Sequence, residues 1–216
     1  MVKKILLALV VIILLALLGF GFLIFKAGKD FKNEVETTVN DLNAQNKVEQ
    51  TTTPETNKEE PVTMKTYTND NAGITMSYPN NWDVEEGESN NSLIVSFFSK
   101  KQSDKDDFLE NVNVLFQDFG DIGIDLDTLH KESIKELTKN IPDFKLTKEE
   151  DMTIDGEPGK LIIYTGTYPG TNFVGAVVQA YTVWDDYAYI ITYVGKQGDF
   201  EKFVPTVQEM LKSFSF

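Results

Sequence analysis

The chain has 216 residues, with 34 acidic side chains against 20 lysines, no arginine, one histidine and no cysteine, for a formal charge of −14. Without cysteine there can be no disulfide, thiolate metal site, thiol nucleophile or lipid-modified cysteine anchor. The acidic balance argues against nucleic acid as a partner, and the lack of arginine removes bidentate phosphate recognition. A hydrophobic content of 41% is too high for a chain disordered throughout.

Met1-Val2-Lys3-Lys4 is a short basic start. Ile5 to Phe25 comes next, 21 residues without a charge. As a helix this run spans roughly 31 Å, against about 30 Å of bilayer hydrocarbon. A signal-peptide core is usually shorter, about 7–15 residues. Residues 1–26 therefore read as an uncleaved transmembrane anchor. Lysines flank it on both sides, so positive charge alone nearly ties the orientation. The order basic then apolar, and the acidity of the rest of the chain, favour a cytoplasmic N-terminus. The expected location is the cell membrane, single-pass, with residues 27–216 extracytoplasmic.

Phe31, Val35, Val39 and Leu42 form a thin apolar stripe at helical spacing, so 27–44 reads as a helical stalk. Residues 45–61 hold one valine and no aromatic residue. They cannot bury enough to offset the entropy of ordering and read as a flexible linker. That leaves 62–216 as the globular domain, long enough for one core.

Strand signals dominate this domain. Asn69 to Gly73 and Pro79-Asn80-Asn81 mark turns near its start. Ser92–Ser99 is apolar on both faces and reads as a central strand. In the next strand Val112, Val114 and Phe116 alternate with Asn111, Asn113 and Gln117, predicting one buried and one solvated face. A helix over 126–140 comes after it, with Asp125 or Asp127 as N-cap and Pro142 as its stop. Four strands come next: Lys145–Ile154, Gly159–Tyr168, Phe173–Trp184 and Tyr187–Val194. Turns at Asp155-Gly156, Pro169-Gly170 and Asp185-Asp186 join them. A last amphipathic helix over 199–213 carries Phe200, Phe203, Val207, Met210 and Leu211 on one face. Asp199 is its expected cap, and Pro205 marks either a helix start or a kink. Strands joined by short turns, interrupted by two helices, predict an α+β fold: an antiparallel sheet packed with helices, preceded by one N-terminal transmembrane helix.

Tyr67 with Asn71-Ala72-Gly73-Ile74-Thr75-Met76-Ser77-Tyr78-Pro79-Asn80-Asn81-Trp82, the turn Thr153-Ile154-Asp155-Gly156, and Phe200 to Phe216 ending Met210-Leu211-Lys212-Ser213-Phe214 together resemble the PsbP-like superfamily. That superfamily includes bacterial and archaeal PsbP-related and DcrB-like envelope proteins. The resemblance covers about 65–216. It implies a PsbP-like α/β/α sandwich. Members include extrinsic photosystem II subunits and small binding or assembly proteins, and the shared motifs are structural rather than catalytic. Many bacterial members carry a lipid-anchoring cysteine, and here the membrane helix would take that role. Nothing in these residues identifies a photosynthetic partner.

No residue pattern calls for a cofactor. His130 is the only imidazole and sits at the border of a helix's apolar face, a packing position. No Gly-x-Ser-x-Gly elbow surrounds a serine. An acidic loop runs from Asp118 to Asp127, and Asp121 to Glu132 has the span of a calcium loop. It carries Gly123 and Leu126 where that loop needs an acid or Asn and a glycine, so it reads as a solvated loop ending in a helix cap. Asp104, Asp106, Asp107 and Glu110 read as a second solvated charge run. Tyr187, Tyr189 and Tyr193 share one face of a strand, with Tyr181 and Trp184 on its neighbour. Tyrosine and tryptophan are common binding anchors, so these three tyrosines are the candidate binding residues; they are equally usual as sheet filling. The functional expectation is a membrane-anchored extracytoplasmic binding or assembly module that docks a protein or envelope component and catalyses nothing. The alternative is a calcium-responsive or carbohydrate-binding surface domain.

Overall fold

The computed structural model describes residues 62–88, 92–103, 105–120, 123–168 and 172–216. The expected anchor, stalk and linker, and the Pro169-Gly170 turn, lie outside the described residues. Among the described residues no helix is long and apolar enough to cross a membrane.

The elements in order are β1 (Met64–Asn69), β2 (Ile74–Pro79), β3 (Asp83–Glu86), β4 (Leu93–Phe98), β5 (Asn111–Asp118), α1 (Leu126–Asn140), β6 (Lys145–Ile154), β7 (Glu157–Thr167), β8 (Val174–Trp184), β9 (Tyr187–Lys196) and α2 (Phe200–Ser213). Strands β1 and β2 form a two-stranded sheet. The other seven form an antiparallel sheet in the order β3-β4-β5-β9-β8-β7-β6. This is the expected α+β architecture. The centre, however, belongs to β9, and β4 lies one strand in from the edge, although all six of its residues are buried.

Local chemistry accounts for the connections. Ile154 pairs with Glu157 across Asp155 and Gly156, both at positive φ (51° and 87°), the two-residue turn that matches strand twist. Trp184 pairs with Tyr187 across Asp185-Asp186, with Asp185 at φ 55°. In the β1–β2 turn the Asn69 side chain accepts from the Ala72 amide, and Gly73 supplies φ 65°. Asp125 caps α1, accepting from the Thr128 amide at 2.7 Å. At α2 the expected cap fails. Asp199 keeps a helical conformation (φ −105°, ψ −11°) and its side chain caps nothing. Instead its own amide closes a turn onto Lys196 O at 3.0 Å, with Gly198 at φ 114°. The helix then runs through Pro205 rather than starting there.

One face of the large sheet packs against α2 and the β1–β2 hairpin. Val95, Phe97, Val112, Val114, Ile191, Tyr193 and Val178 meet Met76, Trp82, Val207, Met210 and Leu211 in a single buried cluster. Past α2, Ser215 pairs with Thr75 of β2, which draws the C-terminus onto the hairpin. The Tyr67 hydroxyl donates to Glu86 at 2.6 Å and ties β1 to the edge strand β3. Burial first, and this bond second, push the Tyr67 hydroxyl up to about 12.

The second face corrects the reading of β5 as half-solvated. Asn111 and Asn113 are buried. Register places Ser96, Asn113, Thr192 and Gln179 side by side across four strands. They satisfy one another: Ser96 donates to Asn113 (2.7 Å), Asn113 to Asn111 (2.8 Å) and Gln179 to Thr192 (3.1 Å). A polar alternation marks a solvated face only when its side chains need water, and these have partners. On this face α1 packs toward β7 and β8. A Cβ on Gly166 would lie 2.3 Å from Ile141 Cγ2, just past the end of α1, so only glycine admits that approach.

Met210→Ala should lower unfolding free energy by about 2–5 kcal/mol in denaturant titration, because Met210 is wholly buried. The exposed Val174→Ala should change it by no more than about 0.5 kcal/mol. Equal effects would place the core elsewhere.

Candidate functional site

The register of the sheet brings the ends of several strands together. Asp118 at the end of β5 faces Tyr187 at the start of β9, and Trp184 at the end of β8 faces the same Tyr187. The C-terminal residues reach this end too, where the Phe216 amide donates to Asp155 at 3.0 Å. Five aromatic side chains then form a row. Phe116 stacks on Tyr187 (4.9 Å between centroids) and lies 5.5 Å from Tyr189. Tyr189 stacks flat on Phe216 (4.7 Å, 2° between planes), and Phe216 meets Trp184 at 5.2 Å. Trp184 ends the row with 44% of its surface exposed.

The three candidate tyrosines separate by depth. Tyr193 is 1% exposed under α2, where its hydroxyl donates to Phe200 O at 3.0 Å. Burial raises its pKa far above the usual range and keeps it a donor. Tyr189 is 3% exposed and forms the floor of the aromatic row. Tyr187 is half-buried and reaches the rim. Trp184, on the neighbouring strand, is the surface member. Phe116 and Phe216 carry no site signal in the sequence; only register and the returning C-terminus bring them in.

Tyr181 lies on the opposite face, against α1. Its hydroxyl is 2.5 Å from His130 Nδ1, and His130 Nε2 is 3.1 Å from Glu149. Beside them Lys160 pairs with Asp151 (2.7 Å) and Asp127 (3.7 Å). His130 thus packs on the sheet and touches a surface carboxylate, as its border position implied.

The acidic loops are largely committed to their own backbone. Asp118 accepts from the Gly120 amide (2.7 Å) and Asp125 from Thr128. Asp121 and Asp104 lie outside the described residues. Asp106 accepts from the amides of Gln102 and Phe108, and Asp107 pairs with Lys196 at 2.5 Å. Among the described residues no group of three or more histidines or carboxylates is placed to hold a metal ion. Glu110 corrects the picture of a solvated charge run. It is 1% exposed, at the other end of the sheet from the aromatic row. Ser99 and Gln102 donate to its Oε2 at 3.3 and 3.0 Å. Burial, with lesser repulsion from Asp106 and Asp199, raises its pKa.

An antiparallel sheet with helices packed on it, closed by an N-terminal hairpin and carrying aromatic residues at one end, defines an α+β structural class. The chain belongs to the family described as PsbP-like protein, whose model matches residues 34–216. The match begins upstream of Val62, inside the expected stalk. No curated protein sequence matches the chain. The solved structures that share the fold at low identity include the following three. LpqN of Mycobacterium tuberculosis, described as involved in cell envelope biogenesis, is 13% identical with a TM-score of 0.55, covering 73% of this chain and 86% of its own. Cyanobacterial PsbP (CyanoP) from Synechocystis sp. PCC 6803 is 14% identical with a TM-score of 0.52, covering 75% and 97%. The Ran-binding protein Mog1p of Saccharomyces cerevisiae is 12% identical with a TM-score of 0.51, covering 72% and 96%.

Glu110 generates a pH prediction. A carboxyl whose folded pKa is raised holds its proton in the folded state where the unfolded chain, titrating at about 4.3, has lost it. Stability therefore falls as pH rises from the unfolded value through the folded one. Glu110→Gln should remove that fall and melt higher than wild type near neutral pH. Thermal melts from about pH 4 to about pH 8 read this directly. A variant that melts lower at every pH would show that the carboxylate stabilises the loop.

Proposed function

We propose that this protein is a membrane-tethered, extracytoplasmic binding or assembly module that docks a protein or envelope component through its Trp184 end and catalyses nothing itself. The observation that carries this is the aromatic row. Both helices and the β1–β2 hairpin are spent on covering the sheet, yet Trp184 stands 44% exposed over Phe216, with Tyr187 beside it. Exposed tryptophan and tyrosine on a rigid support are efficient anchors, because they bring large area with few rotors. The fold is shared with LpqN and with Mog1p, whose descriptions name envelope biogenesis and Ran binding, and this makes a binding role the natural reading. Tyr187 would touch the partner, while Tyr189 and Tyr193 would hold the surface in place. The tether is the uncharged run Ile5 to Phe25, with residues 27–61 as stalk and linker.

Two measurements test this. Protease added to intact cells should release the domain by cutting within 45–61. Protection in intact cells but cutting after lysis would overturn the outside placement. A photo-crosslinking residue at position 184 of the full-length protein should give a discrete adduct in native membranes, and one at Glu209, exposed on α2, should not. Adducts at neither position, or equally at both, would remove the aromatic row as the docking surface.

A further inference from the structure

We infer that β1 is a self-association edge, to which a second copy of this chain adds its own β1 in antiparallel register. The alternation of bonded and non-bonded pairs fixes which groups of β1 face outward. Asn80 N donates to Thr63 O at 2.8 Å, so Lys65, Tyr67 and Asn69, in step with Thr63, exchange bonds with β2. Thr75 and Ser77 lie across from Thr68 and Thr66. Their amides donate away from β1, to Ser215 O at 2.9 Å and to Ser213 Oγ at 2.8 Å. The N–H and C=O groups of Met64, Thr66 and Thr68 therefore point off the outer edge of the hairpin. Among the described residues nothing pairs with them.

The other edges are guarded. Ser215 covers β2. β3 is four residues long and carries Asp83, Glu85 and Glu86. β6 shifts register between Leu146 and Lys148 and carries Lys148, Glu149, Glu150 and Asp151. Shortness, bulges and charge are the usual means of keeping an edge strand unpaired. β1 runs six residues in unbroken register, with Thr and Tyr prominent, no proline and Lys65 as its one charge. Exposed apolar side chains gather here as well: Val62 is 60% exposed and Met64 37%. Two features favour a second copy over another extended segment. A copy also carries a charge of −14, and it meets least repulsion at an edge where 62–69 holds no acid. A lone added peptide would leave its own far edge open, whereas two copies about a two-fold axis close both edges at once. Full overlap of the outward groups then sets the register. Thr66 faces Thr66 on the axis, Met64 faces Thr68 of the second copy, and Lys65 faces Tyr67 rather than another lysine. Threonine pairs across strands are favourable, and a hairpin that is marginal alone gains further strands.

The chain has no cysteine, so one introduced cysteine is its only thiol. Residues paired at hydrogen-bonded positions lie about 5.5 Å apart between Cα atoms, and disulfide reach ends near about 7 Å. The test oxidises the purified full-length protein mildly in detergent. Thr66→Cys should give a disulfide-linked dimer. Thr68→Cys or Met64→Cys alone should not, because two copies of either position are offset by roughly 14 Å along the strands. Mixing Thr68→Cys with Met64→Cys should restore crosslinking, between the two variants only. Adding Thr66→Lys to both, an exposed change that sets two ammonium groups against each other at the axis, should cut that mixed yield by about tenfold. Val174→Cys, exposed on β8, reports random collision. No dimer through Thr66→Cys, equal yields at positions 66, 68 and 174, or a mixed yield untouched by Thr66→Lys would each overturn the inference. So would a photo-crosslinking residue at position 66 that captures a different protein in native membranes and no second copy. None of these outcomes bears on Trp184, which belongs to the large sheet, so the docking reading and the self-association edge stand or fall separately.

Discussion

The central strand holds the last helix at both ends, and the rest of one face depends on that grip. Tyr193 stacks on Phe200 and donates to its carbonyl where α2 begins. Tyr189 stacks on Phe216 just beyond where α2 ends. Between these two points Val207, Met210 and Leu211 are pressed into the core cluster. Once the helix is fixed, Ser215 is carried alongside Thr75, and the two exchange amide-to-carbonyl bonds of 2.9 and 3.0 Å. The β1–β2 hairpin is thereby bound to an element well over a hundred residues later in the chain. A two-stranded hairpin is marginal by itself in water, and here the closing helix supplies its support.

The opposite face is held by a different means. Its row of Ser96, Asn113, Thr192 and Gln179 is buried, and each side chain has a hydrogen-bond partner. Such a row adds little net stability, because each bond replaces one to water. It is sensitive to register. Sliding β5 by one residue would turn Asn111 and Asn113 into the apolar cluster of the other face and strand them there. The apolar face supplies most of the driving force, and the polar row penalises the alternatives.

Much of this is legible in the amino-acid sequence, for identifiable reasons. The helix over 126–140 has an acidic cap at one end and a proline just past the other, and both signals act within a few residues. The Asp155-Gly156 and Asp185-Asp186 turns are local in the same way. The features that escape a sequence reading depend on distant partners. Asn111 and Asn113 look solvent-facing until Ser96 is placed beside them. Glu110 looks like one acid of a charged run until the loop folds over it. Asp199 has the right residue type for a cap, but the turn closed by Gly198 leaves it helical. The three tyrosines stand out by their period of two, which tells which face they share and not how deeply each is covered. Depth is set by α2, and α2 crosses Tyr193 and ends near Tyr189.

The same arrangement determines what kind of surface the Trp184 end can be. Its floor is Tyr189 and Phe216, two flat rings in contact, and Phe216 is pinned by its amide to Asp155 of another hairpin. Its wall is Trp184, at the end of a strand that is hydrogen-bonded on both sides. These parts are fixed by the packing that folds the domain. A ligand meeting them would therefore cost less ordering entropy than one meeting a mobile loop. A rigid floor also limits how the surface can adapt, so selectivity must come from what is fixed around the ring. Around this ring the fixed groups are of both signs, with Asp185 and Asp186 on the adjoining hairpin turn and Lys212 on the last turn of α2. The rings supply a flat place to stack, and the side chains that border them limit what can approach it.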